Sequence, residues 1–262
     1  MAVMNIVYFF VFLTSCIIGA IVGLGGGVII RPILDAIGHH NVMNIGFLSS
    51  SAVLVMAVVS TGKKLADGTK VEFKTAALVS LGAVVGGMLG NLFLDYLVAT
   101  FAAEENVQLI QTGATIFFLI LAIYFTSKRR IEYKLKNKAV YPFIGVLLGS
   151  LAVFLGIGGG PINVPIFMIL FNLPVKQATA YSIVVIFFSH LSRIVTMGIY
   201  PGFWYFDLPY LIYIIPAAII GGTIGAMISR RITDEAVRRA FLVTMWSLIA
   251  MNIYNGITFV LN

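Results

Sequence analysis

"GLGGGVIIRP" spans Gly23–Pro32, and "GIGGGPINVP" spans Gly156–Pro165. The chain spells one glycine-broken stretch twice, at a constant offset of 133 residues, each copy with a proline five residues after its last glycine. Contiguous glycines interrupt a helix, because each costs about 1 kcal/mol relative to alanine in a helix interior. Pro161 lacks an N–H and suits the first position of a new helix. The apolar stretches that follow the glycines, Val28–Ile37 and Pro161–Phe171, have half of the roughly 20 residues needed to cross a bilayer. They read as re-entrant half-helices rather than spans.

The rest of the chain supplies the bilayer. Of 262 residues, 60% are hydrophobic and only 10% charged, where a soluble domain carries about 25% charged residues. The mean hydropathy is +1.03. Val3–Val22, Ala76–Ala99, Val107–Thr126, Leu208–Ile228 and Ala240–Leu261 are apolar runs long enough to span. The fold class is therefore an all-α, polytopic membrane protein. The net charge of +7 does not point to nucleic acid, because most basic residues sit in short loops between apolar runs, the usual topogenic bias. The single Cys16 cannot form an internal disulfide. "LTSC" at Leu13–Cys16 lacks a preceding Lys or Arg, and the apolar run continues past it, so it is not a signal-peptide cleavage site of the usual form.

The parallel between the glycine stretches continues along the chain. Ser49 aligns with Ser182 at the same offset. "GGMLG" (Gly86–Gly90) answers "GGTIG" (Gly221–Gly225), and "EENVQ" (Glu104–Gln108) answers "DEAVR" (Asp234–Arg238). Ordered anchors of this kind mark an internal duplication. Residues 1–127 form a first transmembrane repeat, 128–138 a basic linker and 139–262 a second repeat. Each repeat is expected to hold about four long helices and one glycine-broken half-helix. If each glycine hairpin returns to its own side, all three basic loops face the cytoplasm: the linker, Lys63–Lys74 and Arg230–Arg239. The acidic loop at Glu104 and Glu105 then faces out, and the halves are inverted copies. If the hairpin makes one net crossing, the halves run parallel and the arginines of Arg230–Arg239 lie outside. The positive-inside rule prefers inversion.

Inverted repeats joined at broken helices are typical of secondary transporters, whose substrate sits near the midplane at the breaks. The paired motifs, the "PVKQATAYSIVVIFFSHLS" run after the second, and the two-half organisation resemble the sulfite exporter TauE/SafE family of membrane permeases. The resemblance covers essentially the whole chain. It implies transport of sulfur-containing anions such as sulfite, thiosulfate or organosulfonates across the cell membrane, plasma or inner. Two residues depart from the family's expected pattern: Arg31, where the second copy has Val164, and Arg193, inside an otherwise apolar helix. Both favour an anion.

The candidate substrate-binding residues follow from this arrangement. Gly25, Gly26 and Gly27, with Gly158, Gly159 and Gly160, expose backbone N–H groups at half-helix N-termini, each carrying about +0.5 of a charge. "GGMLG" and "GGTIG" read instead as packing surfaces. Arg31 offers a bidentate fork to an oxyanion, or an ion pair with Asp35 at i+4. Asn163 follows the second break. Thr179, Ser182, Ser189, Arg193 and Thr196 share one helix face, with Ser49 on the aligned face of the first half. Such hydroxyls also bond to their own i−4 carbonyls. His190 is a candidate for proton coupling. His39 and His40 make a poor metal site without a third ligand, and no segment suits a cofactor. The expected partners are a small anion and the lipid bilayer, with a homo-oligomer left open.

A passive anion channel built from the same parts is the alternative. An intramembrane enzyme fits less well, because Cys16 and His190 lack an activating partner in sequence. Reporter fusions at Lys136 and Asn262 are expected to report opposite sides of the membrane, with the linker inside. A cytoplasmic signal from both would select the parallel arrangement.

Overall fold

A computed structural model describes residues 2–69, 71–100, 104–127, 135, 137–155 and 160–261. Their regular structure is entirely helical: α1 (Ala2–Val22), α2 (Gly27–Ile37), α3 (Val42–Ala66), α4 (Phe73–Thr100), α5 (Glu104–Ser127), α6 (Tyr141–Phe154), α7 (Gly160–Leu170), α8 (Val175–Met197), α9 (Leu211–Arg231) and α10 (Asp234–Leu261), with short 3-10 and π turns between. Seven of the helices are long and apolar enough to cross a membrane. The half-helices α2 and α7 begin within one residue of the expected positions. α6 differs from expectation. It has 14 residues, about 21 Å at 1.5 Å per residue, and stops inside the bundle, because the glycine break arrives before its apolar run reaches full length.

Each broken helix returns to the end of the bundle it came from. Near the start of α1, the Tyr8 ring lies 5.5 Å from that of His40, just beyond α2, and 5.0 Å from that of Tyr210. Near the start of α6, the Tyr141 ring lies 4.9 Å from that of Phe171, just beyond α7, and the Leu135 N–H donates to the Leu170 carbonyl. The two hairpin bases lie at opposite ends of α3. The α6–α7 end also collects the basic loops: Arg230 bonds Asp67 at 2.7 Å, and Lys138 meets Glu72 at 3.5 Å. The hairpin tips meet inside, where Gly160 packs directly on the Leu24 backbone.

Helices from the first part of the chain pair with helices from the second. α1 runs parallel to α9, and α4 runs parallel to α6. By contrast α3 and α8 are antiparallel, since Lys64 meets Thr179 and Gly46 meets Arg193. The same holds for α5 and α10, where Arg238 reaches Thr126 and Gly256 faces Thr112.

Small residues set the two parallel seams. Gly82, Gly86 and Gly90 repeat every fourth residue on α4 and face Pro142, Val146 and Ser150 of α6, whose own Gly145 and Gly149 face α4. Lipid tails are as apolar as leucine, so close backbone approach, not hydrophobic burial, drives such pairing. Ser150 adds a bond from its hydroxyl to the Gly86 carbonyl at 3.0 Å. On the other seam Gly221 and Gly225 face Cys16, Ile17 and Ala20. "GGMLG" and "GGTIG" are thus packing surfaces.

Neighbouring glycines in the α4 seam should behave differently. A methyl at Gly86 would collide with the Val146 backbone, whereas at Gly87 the nearest atom is Val153 Cγ2 at 3.5 Å. Gly86→Ala is expected to cost about 1–3 kcal/mol through overpacking. Gly87→Ala should be neutral or stabilise by up to about 1 kcal/mol through helix propensity. Thermal unfolding of the two variants in detergent checks this.

Candidate functional site

The first break is shaped by backbone that only glycine adopts readily. Gly25 and Gly26 have φ of +83° and +70°, the left-handed region where a side chain costs about 1–2 kcal/mol. Space is closed as well. A side chain at Gly25 would press on Ile186 and Val53, and one at Gly26 would meet the Ser15 carbonyl at 3.1 Å. The Gly27 N–H turns back to the Gly25 carbonyl at 2.8 Å. For Gly25, Gly26 and Val28, no backbone carbonyl among the described residues accepts the N–H. These donors lie where α2 begins, at its positive end. In the second motif Gly160 opens α7, while Gly158 and Gly159 lie outside the described residues.

α8 grips this break. Ser182 donates to the Gly23 carbonyl at 2.7 Å, and Thr179 packs against Gly23. Thr179 donates to the Lys176 carbonyl at 2.7 Å and accepts from Lys64 Nζ at 3.3 Å. Ser189 and Thr196 bond the i−4 carbonyls of Val185 and Ser192 at 3.0 Å. The expected polar stripe therefore divides. Its inner members hold the glycine turn, and two of its outer hydroxyls are satisfied within their own helix. Ser49 is buried on α3. Asn163, 1% exposed, leaves its Oδ1 without a partner.

Arg31 is used across the halves. Its Nε is 3.8 Å from Asp35, but its terminal nitrogens donate to the Leu155 carbonyl at 3.2 Å and to Gln111 Oε1 at 2.8 Å. Gln111 Nε2 in turn donates to the Phe154 carbonyl at 2.6 Å. Together they cap the exposed C-terminus of α6, where carbonyls have no intrahelical donor. The ion pair is present, yet the fork faces α6 and α5. Gln111 was not singled out from sequence. A lone glutamine near the start of an apolar run carries no signal until the fold places α6 beside it.

Arg193 is partly buried, and its Nε is sealed without a partner. The guanidinium lies against Gly46, where a methyl would sit 2.6 Å from Nη2. It makes no hydrogen bond or ion pair among the described residues. His190 sits beside it, buried, with neither ring nitrogen bonded. Ala152, Val153, Ser189, His190 and Arg193 line a narrow cleft at the end of α6.

Residues 7–252 match the sulfite exporter TauE/SafE family. The chain belongs to that family. It is 24% identical to "Probable membrane transporter protein YunE" of Bacillus subtilis, over 92% of this chain and 94% of the relative. It is 25% identical to a second "probable membrane transporter protein", from Methanocaldococcus jannaschii, over 85% of both chains. No solved structure matches. As a TauE/SafE member the chain is a multi-pass membrane transporter with a small-molecule substrate and a lipid environment, and not an enzyme.

His39 and His40 have partners outside this site. His39 Nε2 faces Tyr210 Oη at 3.3 Å, and His40 Nδ1 lies 2.8 Å from Asp207 Oδ2. Burial holds the His40 pKa below the ordinary histidine value, although Asp207 pulls it up. The pair ties the α2–α3 loop to the α8–α9 loop.

Gln111→Leu leaves the Phe154 carbonyl and one Arg31 nitrogen unpaired inside the bundle. The expected cost is about 1–3 kcal/mol for each stranded group, read as a lower melting temperature in detergent.

Proposed function

We propose that this transporter moves small sulfur-containing anions, such as sulfite, thiosulfate or organosulfonates, across the cell membrane. The substrate would bind where the two GxGGG breaks meet. One observation carries the reading: Arg193, beside the unbonded His190 ring, has a sealed Nε and no counter-ion among the described residues. A cation at the centre of a bilayer costs at least about 2.5 kcal/mol, and a bound anion offsets that cost. The unclaimed N–H groups of Gly25, Gly26 and Val28 add donors of the right kind. The unbonded ring of His190 beside Arg193 makes it the candidate for proton coupling.

On this reading the halves 1–127 and 139–262 are inverted copies about an axis in the membrane plane. Such an axis makes each helix antiparallel to its own counterpart, which fits the antiparallel α3–α8 and α5–α10 pairs. The end that collects the basic loops faces the cytoplasm.

Thermal-shift titration of the purified protein with sulfite, sulfate, thiosulfate and sulfoacetate tests the proposal. A ligand that binds the native state raises its apparent stability by mass action. Arg193→Ala is expected to weaken the response about 10- to 100-fold, the range of a charged hydrogen bond. Arg193→Lys should keep part of it, with charge but no planar fork. Wild-type affinity in both variants, or stabilisation by metal cations alone, would refute the anion site at Arg193.

A further inference from the structure

Lys64 touches the site described above only through the Thr179 hydroxyl. It lies in the last turn of α3 and is only 7% exposed. Its Nζ crosses to α8 and donates to Thr179 Oγ1 at 3.3 Å. That is one bond for an ammonium with three donors. No carboxylate among the described residues pairs with it: the nearby loop acids meet Arg230 (Asp67) and Lys138 (Glu72). One turn earlier, Ser60 is fully buried and its hydroxyl has no partner. The carbonyl end of α3 offsets part of the charge, but the ammonium turns away from it, to α8.

Lys64 and Arg193 take comparable places at opposite ends of one seam. Thr179 and Gly46 are equivalent in the two halves at the offset of 133, and each receives a cation from the opposite helix: Lys64 on Thr179, Arg193 on Gly46. The antiparallel α3–α8 seam therefore carries one cation towards each end, Lys64 buried and Arg193 partly buried. Thr179 and Arg193 are about 21 Å apart along α8 at 1.5 Å per residue. Gly25 of the break packs on Ile186, midway between them.

We propose that Lys64, with the Thr179 hydroxyl beside it, is a second anion-binding post at the basic end of the seam. It takes the same class of small oxyanion as the glycine break. The inference rests on the anion-transport reading above. An anion moving between the break and the basic end exchanges partners at Lys64, and one moving between the break and the opposite end does so at Arg193. Lys64 thus sets apparent affinity at the face that bears the linker, and Arg193 sets it at the other.

Sulfite flux into proteoliposomes of uniform protein orientation, measured from each face, tests this. Lys64→Gln is expected to raise the half-saturating sulfite concentration about tenfold at the linker face and to leave the other face unchanged. Lys64→Arg should retain most of the wild-type affinity. Lys63→Gln, which removes the exposed neighbouring charge, should match wild type at both faces. Unchanged half-saturation in Lys64→Gln at the linker face overturns the post, even if its melting temperature falls, because that pattern marks a structural lysine. An equal rise at both faces also overturns it, in favour of a single site. If Lys64→Gln does not fold, Thr179→Val and Lys64→Arg carry the same face-by-face comparison. A wild type that neither moves nor is stabilised by sulfite, thiosulfate or sulfoacetate removes the transport reading and the post together. A responsive wild type with an unaltered Lys64→Gln removes the post alone.

Discussion

Backbone that leaves a helix inside a bilayer cannot face lipid, so its freed N–H and C=O groups must find partners within the protein or line a cavity. This chain does so twice, and the requirement organises the rest. At the first break the Gly23 carbonyl is taken by Ser182, which draws α8 against the end of α1. Where α6 stops short, the carbonyls of Phe154 and Leu155 are taken by Gln111 and Arg31, which bring α5 and α2 to the same point. Those bonds place the two hairpin tips in contact. The glycine seams between α1 and α9 and between α4 and α6 then let whole helices approach closely enough for the bonds to form.

The same constraint separates the charged residues by role. Arg31 is committed to caps and a side-chain amide, with Asp35 close by. Arg193 and Lys64 are not balanced in this way. One has no partner among the described residues, and the other has a single hydroxyl. Inside a low-dielectric bundle such cations are costly unless an anion is part of the working state. Arg31 thus serves as a strut, while Arg193 and Lys64 keep unused donors.

Much of this was legible from local pattern. Contiguous glycines before a proline at the matched position of both motifs marked α2 and α7 to within a residue, because helix breaking is a property of the residues themselves. The fourfold spacing of small residues in "GGMLG" and "GGTIG" announced packing faces for the same reason. Other features depended on which helices met. Ser182 and Ser189 look alike in sequence, yet one closes the break and the other bonds its own turn. Arg31 and Asp35 have ideal i,i+4 spacing, yet the guanidinium finds better acceptors on α6 and α5. Gln111 gave no signal at all, since a single polar residue near the start of an apolar run reads as an ordinary interfacial one, and Lys64 read only as part of a basic loop.

By itself the sequence determined that this is a membrane protein with two glycine-broken stretches of the same spelling, and that cations lie within its apolar helices. These are consequences of composition, spacing and repetition along one chain. Only the tertiary structure decided which carbonyls the cations cap, which are left without a counter-charge, and that α3 and α8 run antiparallel with a cation towards each end. Those outcomes depend on residues more than 100 positions apart meeting across a helix seam, and the geometry of that seam is set by packing rather than by any local preference.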